Sequence, residues 1–406
     1  MMNKETLNEH EGKYDAGLKI WKYQSELPIV QWWMGIGISM AELAWAVALN
    51  GGVWTLSSAW LCDTPTYKHI LRQAMIDAKK THDWKVSLEQ GNEIFLTTNC
   101  QVIGQEVQKA KEIAQWKGPV FMNIMAAAQW FKEQVLAACK AWIDGIVCGA
   151  GLPMNLPDIT KDFPNIALVP ILSNLRGVKI IVQNRIRKYQ RLPDAIILED
   201  PTKAGGHLWV KNLEDLKNAD SNSDFILENS IPAVKKYFEE EWYSIPIIAA
   251  GWIVNHVDVM RILNLWASGV QMWTRFLASK ESGANQEFKQ AVVNSTENDI
   301  TEYMSSAGLP ARALKQSEIF ARMADISAQQ RDCIKTCLQQ CGFKNGNPLL
   351  AQMCILKELI RSTAWGKWKW LWFVWTSATK INEVLTVQEI METFKQYFNP
   401  TMGLAM

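Results

Sequence analysis

The chain has 406 residues with 42 basic and 41 acidic side chains, and its net charge of +1 excludes the basic surface that nucleic acid or an anionic membrane would require. Its 48% hydrophobic and 20% charged content is typical of a soluble globular enzyme, and its length allows one large barrel with an appendage. No apolar run reaches the ~18 residues of a membrane span and the first 22 residues are polar, so we expect a cytoplasmic protein without a secretory signal.

The first predicted elements are a strand, a turn and a helix. Residues 27–39, LPIVQWWMGIGIS, combine a short apolar strand with a turn, and residues 40–49 show a helical spacing of Ala, Leu and Val. The next strand and two amphipathic helices are predicted at residues 53–58, 67–80 and 104–115. The polar stretch between residues 81 and 100 has no assignable pattern.

A regular alternation of strands and helices continues to residue 272. Six further strands are predicted at residues 119–125, 145–148, 166–172, 195–199, 245–250 and 269–272. Helices are predicted between most of them, at residues 131–140, 175–189, 231–240 and 255–265. Eight strands alternating with helices favour an α/β fold, the (β/α)8 TIM barrel, at residues 18–280. The alternative is an open doubly wound sheet, which the absence of a strand–GxGxxG–helix unit disfavours.

The pattern changes after the last predicted strand. Residues 282–304 and 311–363 are predicted to be largely helical, with a break at residues 342–348. We therefore expect residues 281–376 to form a helical cap over the barrel mouth. Residues 377–406 should contain a C-terminal amphipathic helix, after Leu385, that packs on the barrel.

Four of the eight cysteines fall close together in the predicted cap, at Cys333, Cys337, Cys341 and Cys354. The first three would share one helix face, and thiolates that converge bind zinc or an iron–sulfur cluster. The alternative is that these cysteines are small apolar side chains in a core. Eight cysteines in a chain of this length favour a reducing compartment over a disulfide scaffold.

His207 is the candidate catalytic residue. It stands in the segment Lys-Ala-Gly-Gly-His-Leu, after the strand at residues 195–199, and therefore on a loop at the carboxyl end of the predicted barrel. Histidine is the usual general base near neutral pH, and the two glycines before it allow close approach to a flat ligand. The alternative is a surface histidine without a chemical role.

Asn123 is a polar residue inside an apolar strand. An inward amide at the end of a strand could hydrogen-bond a cofactor ring. The alternative is an amide whose hydrogen bonds are satisfied within the core.

Two predicted turns stand where a TIM barrel binds phosphate, but each contains a side chain that is too bulky for such a site. The loops after the seventh and eighth strands of a TIM barrel form a phosphate site, because backbone N–H groups converge there. Such turns favour glycine, whose backbone can approach phosphate oxygens, yet here they contain Trp252 and Trp273. Tryptophan is also the compositional outlier, with 20 residues beside 23 glycines, and many stand where a turn would favour glycine.

Six segments carry a resemblance to a known family: LPIVQWWMGIGIS, FMNIMAA, DGIVCGAGLP, AGGHLW, PIIAAGWI and GVQMWTRF. Together they resemble the nitronate monooxygenases, formerly called 2-nitropropane dioxygenases, and the related flavin-dependent enoyl-acyl-carrier-protein reductases. The similarity covers roughly residues 18–395 and extends to SSAGLPARA at residues 305–313. The family has glycine where this chain has Trp32, Trp33, Trp142, Trp209, Trp252 and Trp273.

The resemblance implies a TIM barrel that binds FMN, with His207 in the place of the family's catalytic histidine. It implies that Met34 and Gly35 contact the flavin, that Asn123 contacts its ring, and that Gly205 and Gly206 lie against it. The residues that it implies around the phosphate are Gly251, Trp252, Gln271, Met272, Trp273 and Thr274. The cysteine cluster resembles one in some members, without an assigned role.

The activity implied by the resemblance is the oxidation of alkyl nitronates or nitroalkanes with dioxygen, in which His207 takes the α-proton or orients the nitronate. An alternative is hydride transfer from NAD(P)H through FMN to an enoyl thioester. A third reading is a degenerate, non-catalytic flavin-binding protein. The expected partners are a small-molecule substrate and dioxygen, with a homodimer left open and neither nucleic acid nor membrane involved.

The tryptophans lead to a separate prediction. We expect most or all of the 20 to be glycine in the natural protein, through a UGA codon that the source lineage reads as glycine. The chain mismatches the family mainly by tryptophan for glycine, and a tight turn with φ > 0 accommodates an indole only at a cost.

Overall fold

The computed structural model describes residues 17–32, 34–81, 86–115, 118–207, 210, 212–218, 223–317, 320, 337–342, 354–363 and 371–398. Its centre is a sheet of eight parallel strands. We label them β1 to β8, and they span Ile29–Gln31, Trp54–Ser57, Val120–Asn123, Gly145–Cys148, Ala167–Leu172, Ile196–Glu199, Ile247–Ala250 and Gly269–Met272. Each pairs in parallel with its neighbour in the chain, and every residue of all eight strands is buried.

The sheet closes on itself through β1. On one side β1 pairs in parallel with β8, with Val30 opposite Gln271. On the other side Val30 forms a parallel bridge with Val53, and the Gln31 N–H donates to the Val53 carbonyl at 2.8 Å. The (β/α)8 barrel predicted from the alternation of strands and helices is confirmed. All eight strands lie where the sequence predicts them, because strands buried on both faces read as continuous apolar runs.

Helices surround the barrel. We label them α1 to α13, and in chain order they span Ala41–Leu49, Lys68–Thr81, Leu88–Ile113, Phe131–Lys140, Leu156–Ile159, Leu175–Tyr189, Leu213–Lys217, Leu227–Glu240, His256–Leu263, Thr274–Leu277, Gln286–Val293, Ile355–Thr363 and Val387–Phe398. Within this part of the chain, no helix is long and apolar enough to cross a membrane. The polar stretch left unassigned holds the first half of α3, where Ser87 and Gln90 form a reciprocal capping box.

The segment after the barrel differs from the predicted helical cap. Helix α11 is present, but residues 300–304 and 310–314 are antiparallel strands, Ile300–Met304 and Pro310–Leu314. The prediction of helix was wrong here because ITEYM alternates in the manner of a strand, and Gly308, with φ of 77°, lies in the turn that joins the two strands. A third short strand, Gly206–His207, pairs with the second of these strands. The boundaries at residues 281 and 377 remain predictions.

The C-terminal residues cross the barrel mouth and then pack on its outside. We call residues 371–386 the strap. It begins beside the hairpin, where Phe373 bridges Ala313, and ends beside the residues that follow α10, where Leu385 bridges Ser279. The helix predicted after Leu385 is confirmed as α13, which packs on α1. A Cβ at Gly52 would lie 2.9 Å from Met391 Cε, so this helix contacts the first βα unit closely.

Tryptophan occupies left-handed backbone. Ten non-glycine residues of the described ranges have positive φ, and six of them are tryptophans: Trp21, Trp60, Trp142, Trp242, Trp252 and Trp266. This conformation costs an L-residue roughly 1–2 kcal/mol, and glycine is the residue that normally adopts it. The backbone therefore supports the prediction that glycine belongs at these positions.

Candidate functional site

Polar residues gather at one end of the barrel. All eight strands are parallel, so their carboxyl ends meet at one mouth, as predicted. The residues that end a strand or directly follow one include Gln31, Asn123, Cys148, Ser173, Glu199, Gly251 and Met272. The mouth is therefore the candidate site.

Two side-chain amides at this end of the barrel have unmet hydrogen-bonding capacity. Asn123 on β3 and Gln271 on β8 are each 1% exposed, and neither amide has a hydrogen-bond partner among the described residues. By contrast, the Gln31 amide donates to the Ser39 hydroxyl at 2.8 Å and accepts from the Thr55 N–H at 3.3 Å. A buried polar group without a partner costs about 1–3 kcal/mol. The two unpaired amides therefore fit a polar ligand such as a flavin ring.

The backbone of His207 is fixed by the hairpin. His207 lies opposite Ala311, and Gly206 lies opposite Arg312. The buried guanidinium of Arg312 donates to the carbonyls of Ala204 and of Thr202, the latter at 3.2 Å, and pairs with Glu302 at 2.7 Å. No local sequence pattern signals this role of Arg312, although it lies in SSAGLPARA, a segment that carries part of the resemblance.

The loop that leads to His207 starts with a buried acid. The Asp200 carboxylate accepts hydrogen bonds from the Thr202 N–H at 2.8 Å and from the Thr202 hydroxyl at 2.6 Å. Burial raises the pKa of Asp200, and these hydrogen bonds oppose the shift. Asp200 thus sets the turn between β6 and the histidine.

The turn after β7 contains two successive residues with positive φ. Gly251 and Trp252 both have positive φ, at 146° and 53°. Two ammonium groups flank the Trp252 ring, Lys380 at 3.4 Å and Lys203 at 5.8 Å from its centroid. The indole therefore lies near two cations, beside a backbone turn that would suit an anion.

The turn after β8 is covered by the strap. Trp273 stacks on Trp375 with ring centroids 6.3 Å apart, and Trp375 also meets Trp32 edge-on at 5.1 Å. The Thr274 hydroxyl accepts a hydrogen bond from the Ser377 hydroxyl at 3.2 Å. Indoles thus fill the space beside the turns predicted to hold the phosphate.

Two other predicted flavin contacts have structural partners in the protein. The buried Met34 donates its N–H to the Ser39 hydroxyl at 2.7 Å, next to Gly35 in the turn after β1. A Cβ at Gly205 would lie 2.2 Å from the Val374 carbonyl oxygen, so the strap requires glycine there. The flavin contacts of Met34, Gly35, Gly205 and Gly206 remain predictions.

The predicted metal cluster is not found among the described residues. Cys333, like Trp33 and Trp209, lies outside them, and the residues that are described contain no group of three or more His, Cys, Asp or Glu side chains that could hold a metal. Cys337, Cys341 and Cys354 are therefore not brought together as the spacing predicted. Instead the Cys337 carbonyl accepts from the Gln129 N–H at 3.1 Å, beside the loop after β3.

Comparisons with known proteins place this geometry in a family. The profile of the family described as nitronate monooxygenase matches residues 18–394. A probable nitronate monooxygenase from Bacillus subtilis (strain 168) is 25% identical over 338 residues, which cover 80% of this chain and 88% of that protein.

Two solved structures share the fold. FabK from Thermotoga maritima superposes with a TM-score of 0.62 at 19% identity, covering 93% of this chain and 94% of that one. Nitroalkane oxidase from Streptomyces ansochromogenes superposes with a TM-score of 0.62 at 16% identity, covering 94% of this chain and 98% of that one.

Proposed function

This chain belongs to the nitronate monooxygenase family, and on that premise we propose that it is an FMN-dependent oxidoreductase that oxidises alkyl nitronates or their parent nitroalkanes with dioxygen. The observation that carries the proposal is the pair of buried, unpaired amides of Asn123 and Gln271 at the barrel mouth. Amides of this kind match the alternating donors and acceptors of a flavin ring.

The protein's own contribution is a base and a positioned site. His207 removes the α-proton of a nitroalkane, or orients a nitronate that has already lost it. The hairpin holds the backbone of His207. The hydrogen bonds from Arg312 to the carbonyls of Ala204 and Thr202 hold the loop that precedes it. When bound, FMN supplies the electron transfer from substrate to dioxygen, which no side chain can perform.

The strap helps to close the site. The Val374 carbonyl lies against Gly205, and Trp375 lies against Trp32 and Trp273. A covered mouth excludes water and strengthens electrostatic interactions between bound groups and the protein.

The test is to purify the protein, release and identify its flavin, and measure oxygen consumption with a preformed secondary nitronate. We expect FMN and nitronate-dependent oxygen uptake. Anaerobic mixing then separates the reductants: the nitronate should bleach the flavin, and NAD(P)H should not. Bleaching by NAD(P)H alone, with turnover of an enoyl thioester, would support the reductase alternative instead. A protein that retains no flavin would support the degenerate reading.

A further inference from the structure

The strap reaches the predicted phosphate end of the site with two polar side chains. Within it, the 3-10 helix Thr376–Lys380 lies between the loop that leads to His207 and helix α9. The Thr376 N–H donates to the Lys203 carbonyl at 3.1 Å, and Arg275 donates to the Glu383 carbonyl at 2.7 Å. The strap is therefore attached on both sides of Ser377 and Lys380.

Ser377 is buried and touches the turn after β8. Its hydroxyl donates to the Thr274 hydroxyl at 3.2 Å. Thr274 is one of the residues that the resemblance placed around the phosphate. A hydroxyl from the strap thus joins a hydroxyl from the barrel at this turn.

Lys380 covers the turn after β7. Its ammonium lies 3.4 Å from the centroid of the Trp252 ring and 3.0 and 3.2 Å from the two carboxylate oxygens of Asp258. Asp258 also accepts from the Val254 N–H at 3.0 Å. The carboxylate of Asp258 would repel an anion bound at this turn, and the ion pair with Lys380 neutralises that carboxylate.

We propose that Lys380 and Ser377 bind the phosphate of the flavin mononucleotide, so that the strap forms part of the cofactor site. This inference rests on the proposed function. The Lys380 ammonium contacts the side chain of Trp252, and Gly251 and Trp252 form the turn of positive φ at which the phosphate is expected. A charge-assisted hydrogen bond from an ammonium to a phosphate oxygen is among the strongest available to a side chain.

The experiment compares FMN with riboflavin, which lacks the phosphate. Full-length protein stripped of flavin is titrated with each, both as sequenced and with Trp252→Gly. We expect Lys380→Ala to weaken FMN binding about 10- to 100-fold and to leave riboflavin binding unchanged. Ser377→Ala should show a smaller loss with the same selectivity, and Lys380→Arg should restore most of the FMN affinity.

Two controls make the result decisive. Lys280→Ala removes an exposed lysine that pairs with Glu389, and it should change neither affinity. The double variant Lys380→Ala with Asp258→Asn tests whether Lys380 binds the phosphate or only neutralises Asp258. We expect its FMN binding to stay weak, because the contact with the phosphate is still missing. Full recovery in the double variant, or equal losses of FMN and riboflavin in Lys380→Ala, would overturn the proposal. Failure of the parent protein to bind either flavin would count against the proposed function itself.

Discussion

Trp142 and Trp242 occupy equivalent positions at the ends of two different helices. Trp142 follows α4 with φ of 67°, and Trp242 follows α8 with φ of 58°. In each case the next residue donates its N–H back into the helix, Ile143 to Ala138 at 3.2 Å and Tyr243 to Phe238 at 2.8 Å. This is the helix ending in which glycine normally takes the left-handed position. The two indoles are 75% and 94% exposed, so they gain little by burial.

Replacing either residue by glycine should stabilise the protein. We expect Trp142→Gly and Trp242→Gly each to raise the free energy of unfolding by about 1 kcal/mol, because the left-handed backbone strain is removed. Urea unfolding measures the change. Leu49→Gly is the matched control, since Leu49 is exposed but lies within α1, and it should destabilise by about 1 kcal/mol. Destabilisation by both tryptophan replacements would contradict this interpretation.

The same reasoning applied to all 20 tryptophans predicts the composition of the natural protein. We expect glycine at most or all of these positions, and therefore an intact mass well below that of the printed sequence. Expression with glycine at all 20 positions should give a folded yellow protein. A natural protein whose measured mass equals that of the printed sequence would refute the recoding.

Asn123→Leu should have opposite effects on the stability of the protein and on its affinity for flavin. The unpaired amide destabilises the flavin-free protein, so its removal should raise the free energy of unfolding by about 1–3 kcal/mol while weakening flavin binding. The control is Asn99→Leu, because the Asn99 amide accepts from the Cys62 N–H at 3.3 Å and donates to the Ser58 carbonyl at 3.4 Å. That variant should lose stability. Equal losses in both would indicate an ordinary core amide at Asn123.

His207→Asn should retain FMN and lose most turnover on neutral nitroalkanes. Loss of a general base typically costs about 10²–10⁴ in rate. Turnover of a preformed nitronate should fall much less, because its proton is already gone. Steady-state oxygen uptake measures turnover of the nitroalkane and of the nitronate. An equal fall in both rates would show that His207 positions the substrate and does not act as a base.

The lowered pKa of Lys289 leads us to expect that the free energy of unfolding changes at alkaline pH. Burial lowers its pKa to about 8, and its ammonium donates to the Lys280 carbonyl at 3.1 Å. Between pH 8 and about 10.5, Lys289 is protonated in the unfolded chain and largely neutral in the folded protein. The free energy of unfolding therefore rises as the pH rises through that window. Lys289→Met should therefore stabilise by about 1–3 kcal/mol at pH 7, and the advantage should disappear towards pH 10.5. Thermal unfolding across this range tests it, with the exposed Lys280→Met as control.

The barrel could be predicted from the sequence because each of its strands is recognisable from its own apolar residues. A strand such as Ala167–Leu172 is apolar throughout, and its neighbours follow in chain order. The strand Gly206–His207 was missed because it pairs with Pro310–Leu314, a segment about 100 residues further along the chain. No local pattern encodes that partnership.

The sequence placed part of the candidate site. Asn123 ends β3 and Gln271 is the last residue but one of β8, so the parallel topology puts both near the same mouth, while their contacts with a flavin remain predictions. The contacts of Arg312 with the histidine loop and of Val374 with Gly205 depend on the return of the chain over the mouth. For the cysteines, spacing along a presumed helix was an insufficient guide, because the described residues do not bring three of them together.

The contact between Met391 and Gly52 has a consequence for synthesis. About 340 residues separate the two, so at the usual 5–20 residues per second the first βα unit waits roughly 20–70 s for the helix that covers it. During that time the apolar residues of α1 that will meet α13 have no partner on the ribosome. The nascent chain thus exposes a site for chaperones until α13 has been synthesised, and deletion of α13 would leave that surface exposed.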